Sequence, residues 1–143
     1  LEAYASEKAI LKKMKEESKV QPDSLLHGLT EDQLSIRTLF QAANDSDDLA
    51  VSILNESGKY LGIAAANMVN ILKPSKIILE GRIFEEGPYM ADAVKEMVEK
   101  YTFKSSPENI TIVCSDLGKK GMVLGAVTLI LKKIFKIGRL ESV

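Results

Sequence analysis

The chain has 143 residues, of which 45% are hydrophobic and 27% are charged, and its formal net charge at pH 7 is -1. This is the composition of an ordinary globular protein, and the absence of a long apolar run excludes a membrane span. A near-neutral charge argues against a nucleic-acid-binding surface on this chain, because neutralising phosphates needs a concentrated basic face. The single cysteine, Cys114, excludes an internal disulfide and fits a cytoplasmic location.

The first third of the chain predicts two helices joined by a surface loop. A run of strong helix formers extends from Glu2 to about Ser18, and its buried stripe is Ile10, Leu11 and Met14. Segment 20–28 lacks helical spacing. Thr30 and Gln33 then have the spacing of a capping box, with Leu29 and Leu34 at the staple positions, which predicts a second helix over 31–43.

Residues 44–47 supply the next break and N-cap, and a long third helix then runs from Asp47 to Leu72, where Pro74 stops it. The half from Gly62 to Leu72 is apolar almost all round, so we expect it inside the molecule or at a subunit contact. Gly58 and Gly62 each weaken a helix interior by about 1 kcal/mol relative to Ala. Two explanations are open for these glycines, namely the close approach of another backbone or a kink.

Beyond Pro74 the pattern changes to strand, helix, strand, helix. The elements are predicted at 76–80, 89–101, 109–114 and 122–135. The first strand, 76–80, reads as buried on both faces, and a crossover of this length predicts a right-handed parallel β-α-β unit. Two strands do not make a stable parallel sheet by themselves, and the chain begins with Leu1 rather than Met. We therefore expect a C-terminal piece of a larger α/β protein, or a chain completed by a partner.

Ligands in open α/β sheets bind beyond the carboxyl ends of the strands, which here means Gly81 with Arg82 and the segment 115–121. Segment 115–121 leads into a helix N-terminus, where free N–H groups and the helix dipole favour an anion such as phosphate. It is not a P-loop, and from the residues alone a loop with a helix cap is the favoured interpretation. Glu80 is either exposed in this cleft, where it would repel phosphates, or paired with a group such as Arg82.

Two further side chains are assigned no chemistry. His27 has no Cys, Asp or Glu at metal-ligand spacing and is interpreted as a solvated loop histidine. Cys114 closes an apolar strand and is interpreted as a small buried hydrophobe rather than a nucleophile. We therefore predict neither a catalytic residue nor a metal ligand on this chain.

Several segments together resemble the ROK family of sugar kinases and sugar-responsive transcriptional repressors. They are Leu1–Ser6, Tyr60–Ala64, Asn67–Pro74, Ile77–Gly81, Leu117–Gly118, Gly121 and Leu124–Ala126. The resemblance covers essentially the whole chain in order. It implies the C-terminal portion of an actin-like, ribonuclease H-like α/β fold, with two parallel strands and about five helices here. We expect a helical part at 1–73, a β-α-β-α part at 74–137 and a tail at 138–143.

The resemblance also implies what this chain lacks. In the family, a zinc-binding cysteine motif, the catalytic Asp and the first strands of the sheet precede the position of Leu1, so zinc is expected upstream. The Glu two positions after the last zinc cysteine binds sugar hydroxyls in the family, and that position is Glu2. A carboxylate accepts from two adjacent hydroxyls, which suits this role. In an isolated fragment Glu2 would be only an exposed first-turn residue.

The choice between kinase and repressor depends on the nucleotide site. Family kinases carry consecutive glycines after the first strand predicted here, whereas this chain has Glu80 before Gly81, and Gly121 replaces the family's usual Ala. If the protein is a kinase, Gly81, Gly118 and Gly121 are the nucleotide-binding positions, with ATP and Mg²⁺ as cofactors. We favour the C-terminal effector and oligomerisation region of a cytoplasmic, homo-oligomeric repressor that binds a sugar, and binds DNA only through an N-terminal domain. The alternatives are the C-terminal part of a hexose kinase and an assembly module without activity of its own.

Overall fold

The computed structural model describes residues 1–103, 110–115 and 117–135. Its elements, in chain order, are α1 (Glu2–Ala5), α2 (Glu7–Glu17), α3 (Ile36–Asn44), α4 (Asp48–Leu72), β1 (Lys76–Leu79), α5 (Arg82–Glu85), α6 (Tyr89–Tyr101), β2 (Thr111–Cys114) and α7 (Lys119–Ile134). The strands pair in parallel, with Leu79 opposite Cys114, so the predicted β-α-β unit is confirmed. The predicted tail at 138–143 lies outside the described residues. No helix in the described part is long and apolar enough to cross a bilayer.

The predicted first helix is wrong in one respect, because it is broken at Ser6. Ser6 has an extended backbone, with ψ at 154°, and its hydroxyl accepts a hydrogen bond from the amide of Ala9 at 3.2 Å. Serine caps a helix more readily than it continues one, since its side chain competes for nearby backbone donors. The single turn α1 is therefore separate from α2.

The predicted start of the next helix is also wrong. The capping-box pair does meet, because the amide of Thr30 donates to Oε1 of Gln33 at 2.9 Å, but it closes a turn that does not continue as a helix. Helix α3 begins at Ile36 instead, where the hydroxyl of Ser35 accepts from the amide of Thr38 at 3.1 Å. Ser35, five residues after Thr30, is thus the residue that caps α3, and the buried side chains of α3 begin directly after it at Ile36.

The long helix α4 is confirmed, with Asp47 as its N-cap. The buried carboxylate accepts from the amides of Ala50 at 2.8 Å and Leu25 at 2.6 Å, and from the hydroxyl of Ser24 at 3.1 Å. One side chain thus caps α4 and fixes the loop before α3. At the other end, Lys73 adopts the left-handed conformation, with φ at 48°, immediately before Pro74.

Close approach of another backbone, rather than a kink, explains the glycines of α4. A Cβ added at Gly58 would lie 2.7 Å from Cβ of Ala93, and one added at Gly62 would lie 3.0 Å from Cα of Val94. Helix α4 continues without a break past both positions, so α4 and α6 form a tightly packed pair. Asn70 adds a polar link, since its amide donates to the carbonyl of Tyr101 at 3.0 Å and accepts from the amide of Phe103 at 2.9 Å.

The buried side chains form two clusters. The first joins α2, α3 and the N-terminal half of α4, and the second joins the C-terminal half of α4 to α6 and the strands. Within the described residues, only one face of the sheet is covered, because Ile78 in β1 is 60% exposed and the apolar side chains of α7 are largely exposed too. The prediction that β1 is buried on both faces is therefore wrong for this chain. Cys114, predicted to be buried, is exposed at the end of β2.

Candidate functional site at the carboxyl ends of the strands

The two loops that follow the parallel strands meet at one edge of the sheet. Strand pairing brings Leu79 and Cys114 side by side, and the amide of Ser115 donates to the carbonyl of Leu79 at 2.8 Å. The first loop passes through Gly81 into the short helix α5. The second passes through Gly118 into α7, and its Asp116 lies outside the described residues. This edge contains all three glycines that the sequence predicts for a nucleotide site.

Two of these glycines have backbone conformations that favour glycine. Gly81 has φ at 137° and Gly118 has φ at 51°, whereas side-chain-bearing residues strongly prefer negative φ. A Cβ added at Gly81 would meet nothing within 4 Å, so conformation rather than crowding explains that glycine. Gly118 is the N-cap of α7, and its cap has no side-chain hydrogen bond.

The other constraint at this edge is crowding by two carboxylates. A Cβ added at Gly121 would collide with Oε1 of Glu80, and one added at Gly118 would lie 2.9 Å from Oε1 of Glu85. Both acidic side chains are exposed. Two carboxylates from the loop and helix after β1 therefore lie against the first turn of α7. Whether Glu80 also pairs with Arg82 stays a prediction, because the side chain of Arg82 is not among those described.

Glu85 is the residue of this edge that sequence reasoning missed. It belongs to α5, a helix of four residues that the sequence pattern does not distinguish from the turn before Pro88. A carboxylate near a helix N-terminus is electrostatically favourable, because the helix dipole places partial positive charge there. The first turn of α7 is thus a place for negative charge, and this chain supplies that charge from its own side chains.

Glu2, the predicted sugar ligand, lies on α1 and is exposed. Helix α1 contacts α2 and α4, whereas Gly81 and Gly118 belong to the loops after β1 and β2 and Gly121 to the first turn of α7. The ring of Tyr4, on the same short helix, stacks on the ring of Tyr60 from α4 with a centroid separation of 4.7 Å. Sequence reasoning did not single out this aromatic pair.

His27 is exposed in its loop, as predicted, with one added feature. Its Nδ1 lies 2.7 Å from the carbonyl of Ser18, which can only accept, so Nδ1 carries the proton. The ring borders a cavity of about 300 Å³, across which Lys15 forms an ion pair with Glu31. Within the described ranges, no group of three or more His, Cys, Asp or Glu is arranged to hold a metal ion.

Comparison with known proteins shows the family of this chain. The ROK family model matches residues 1–133, so the chain belongs to the ROK family. Among curated relatives, the chain is 30% identical over 109 residues to a glucokinase from Halalkalibacterium halodurans, covering 76% of the chain and 32% of that protein. It is 29% identical over 99 residues to the DNA-binding transcriptional dual regulator NagC from Escherichia coli K12, covering 69% of the chain and 24% of the regulator. The chain thus spans about a quarter to a third of these relatives.

Solved structures give the same picture of the fold. An ROK family transcriptional regulator described as a homologue of the E. coli MLC protein matches with a TM-score of 0.71 and 26% identity, over 79% of this chain and 28% of that one. An ROK family glucokinase from Streptomyces griseus, solved with glucose and AMPPNP, matches with a TM-score of 0.77 and 22% identity, over 89% of this chain and 43% of that one. The predicted fold class, a portion of an actin-like α/β fold, is confirmed. The relatives include both regulators and kinases.

Proposed function

We propose that this chain is the C-terminal effector region of an ROK-family transcriptional regulator of carbohydrate metabolism, which binds a sugar and does not phosphorylate it. The observation that carries the proposal is the carboxylate of Glu80 against Gly121. It adds bulk and negative charge at the edge of the sheet where a nucleotide would have to approach. The alternative, a sugar kinase, requires that edge to accept the phosphates of ATP.

The two departures from the family pattern support this proposal together. The resemblance places a glycine at the position of Glu80 in the kinases, and an alanine at the position of Gly121 in the family. Here the Glu80 side chain occupies the space that an alanine Cβ at position 121 would need. The carboxylate of Glu80 can take this position because residue 121 is a glycine, so the second departure accommodates the first.

Electrostatics point the same way. Glu85 lies beside Gly118 at the N-cap of α7, so two negative charges already use the favourable potential of this helix end. At an effective dielectric constant near 20, a like charge about 4 Å away costs roughly 4 kcal/mol, and about 1 kcal/mol in bulk water. A phosphate brought to the same helix end would meet repulsion within that range.

Glu2 would bind the sugar. Its carboxylate is exposed on α1 and, when ionised, accepts hydrogen bonds from two adjacent hydroxyls of one ring. The roles of Gly81, Gly118 and Gly121 as nucleotide contacts belong to the kinase alternative, together with ATP and Mg²⁺. We further propose that zinc is held by cysteines outside this chain, and that DNA is bound by an N-terminal domain of the complete protein.

The remaining parts of the proposal concern assembly and location. The C-terminal half of α4 exposes four apolar side chains, namely Ile63, Met68, Ile71 and Leu72. Exposed apolar side chains suit a subunit contact in a homo-oligomer. A cytoplasmic location goes with the proposed role of a DNA-binding regulator.

Calorimetric titration of the complete protein tests the proposal. We expect glucose or N-acetylglucosamine to bind, and AMPPNP to give no measurable heat. Neutralising the carboxylate in Glu80→Gln should raise nucleotide affinity, whereas Glu99→Gln, an exposed carboxylate on α6, should not. Tight binding of AMPPNP to the unaltered protein, in the presence of sugar, would overturn the regulator proposal in favour of the kinase.

A further inference from the structure

The short helix α1, which carries Glu2, has little to hold it in place. It spans only Glu2–Ala5, and none of its residues is buried. Its hydrogen bonds are backbone bonds within the turn, from the amides of Tyr4 and Ala5 to the carbonyl of Leu1 and from Ser6 to that of Glu2. The extended residue Ser6 separates it from α2, so helical continuity does not fix its orientation.

The stack of Tyr4 on Tyr60 supplies the missing contact. The ring centroids are 4.7 Å apart and the ring planes are inclined by 30°, which is a stacked arrangement. Tyr60 lies between Gly58 and Gly62, the two positions at which α4 packs most closely on α6. The stack therefore joins the short helix α1 to the closely packed pair of α4 and α6.

We infer that Tyr60 is a positioning residue for the sugar, acting through Tyr4 on the carboxylate of Glu2. This inference rests on the proposed function, since it needs Glu2 to be a sugar contact. When the stack forms, α1 holds Glu2 in one orientation and the protein is competent to bind. When the stack is lost, only a fraction of molecules is competent, and the apparent dissociation constant rises in inverse proportion to that fraction.

The experiment is a double-mutant cycle on the complete protein, with glucose and N-acetylglucosamine as the probes. We expect Tyr60→Ala to weaken sugar binding by about three- to tenfold, the range that one aromatic pair supports. Tyr60→Phe keeps the ring and should bind like the unaltered protein. Tyr101→Ala, which removes an exposed tyrosine from the end of α6, is the matched control and should leave affinity unchanged.

The cycle separates positioning from a general structural role. Glu2→Gln keeps one acceptor oxygen, so binding stays measurable, and in this background Tyr60→Ala should cost less than about twofold. An equal loss in both backgrounds, or no loss in the unaltered background, would overturn this inference alone. No effect of Glu2→Gln would instead overturn the sugar role of Glu2, and this inference with it.

A second measurement needs no sugar. The amides of Tyr4, Ala5 and Ser6 should exchange with solvent several times faster in Tyr60→Ala than in Tyr60→Phe, while amides of α6 exchange at equal rates. Equal rates in α1 for both variants would show that the stack does not hold this turn, and would overturn the inference.

Discussion

Replacing Gly62 with Ala is the sharpest test of how α4 and α6 pack. On helix propensity alone this change should stabilise an interior helix position by about 1 kcal/mol. The structure predicts the opposite sign. The new methyl carbon would lie 2.6 Å from Cβ of Met97 and 3.0 Å from both Cα and the carbonyl oxygen of Val94.

The size of the effect follows from what has to move. Two of the three crowded atoms belong to the backbone of Val94, so a change of side-chain rotamer cannot relieve the contact. The helices must separate locally, and overpacking of this kind costs about 1–3 kcal/mol. Subtracting the propensity gain of about 1 kcal/mol leaves an expected net destabilisation of up to roughly 2 kcal/mol.

Urea unfolding of the complete protein, together with hydrogen exchange in α4 and α6, measures this difference. Gly125→Ala is the matched control, because a Cβ added there meets nothing within 4 Å and the residue lies on the exposed helix α7. The control should be neutral or stabilising by up to about 1 kcal/mol. If Gly62→Ala stabilises the protein as much as the control does, the close approach of α4 and α6 is refuted.

Three further predictions concern the polar groups that fix the ends of the helices. Asp47→Ala removes an N-cap and two loop hydrogen bonds, so we expect a loss of about 3 kcal/mol in urea unfolding, and an unchanged midpoint would contradict the network. Asn70→Leu leaves two backbone groups without their partner, so we expect the free energy of unfolding to fall by about 1 kcal/mol and the Phe103 amide to exchange faster. Unchanged exchange of that amide would argue against the link between α4 and the end of α6. Ser35→Ala removes the N-cap of α3 and should lower the free energy of unfolding by about 1 kcal/mol, whereas Thr30→Ala should lower it by about a few tenths. The reverse order would favour the helix start at residue 31 that the sequence predicts.

Much of the fold could be predicted because its signals are local. The N-cap at Asp47, the stop before Pro74 and the change of period after it depend on neighbouring residues, and all are confirmed. The parallel pairing followed from the length of the crossover. The helix starts near Ser6 and Ser35 were wrong because several residues there can cap, and tertiary packing decides which of them does.

The site was harder to predict than the fold. Three glycines could be placed at one edge of the sheet, because the carboxyl ends of parallel strands always meet there. The contact of Glu80 with Gly121 at this edge, and the stack of Tyr4 on Tyr60 away from it, could not be predicted, since both join residues far apart in the chain. No periodicity or spacing reports such pairs. The exposed face of β1 was also missed, because a run of apolar residues predicts a buried strand but not which segment covers it.

The most direct test of the proposed function is a turnover measurement on the complete protein. It would be incubated with Mg²⁺, ATP and either glucose or N-acetylglucosamine, and both ADP and sugar phosphate would be quantified. The arrangement of Glu80 and Glu85 at the first turn of α7 predicts that neither product forms above the sugar-free background. Sugar-dependent formation of ADP with a matching amount of sugar phosphate would contradict the proposed regulator and identify a kinase.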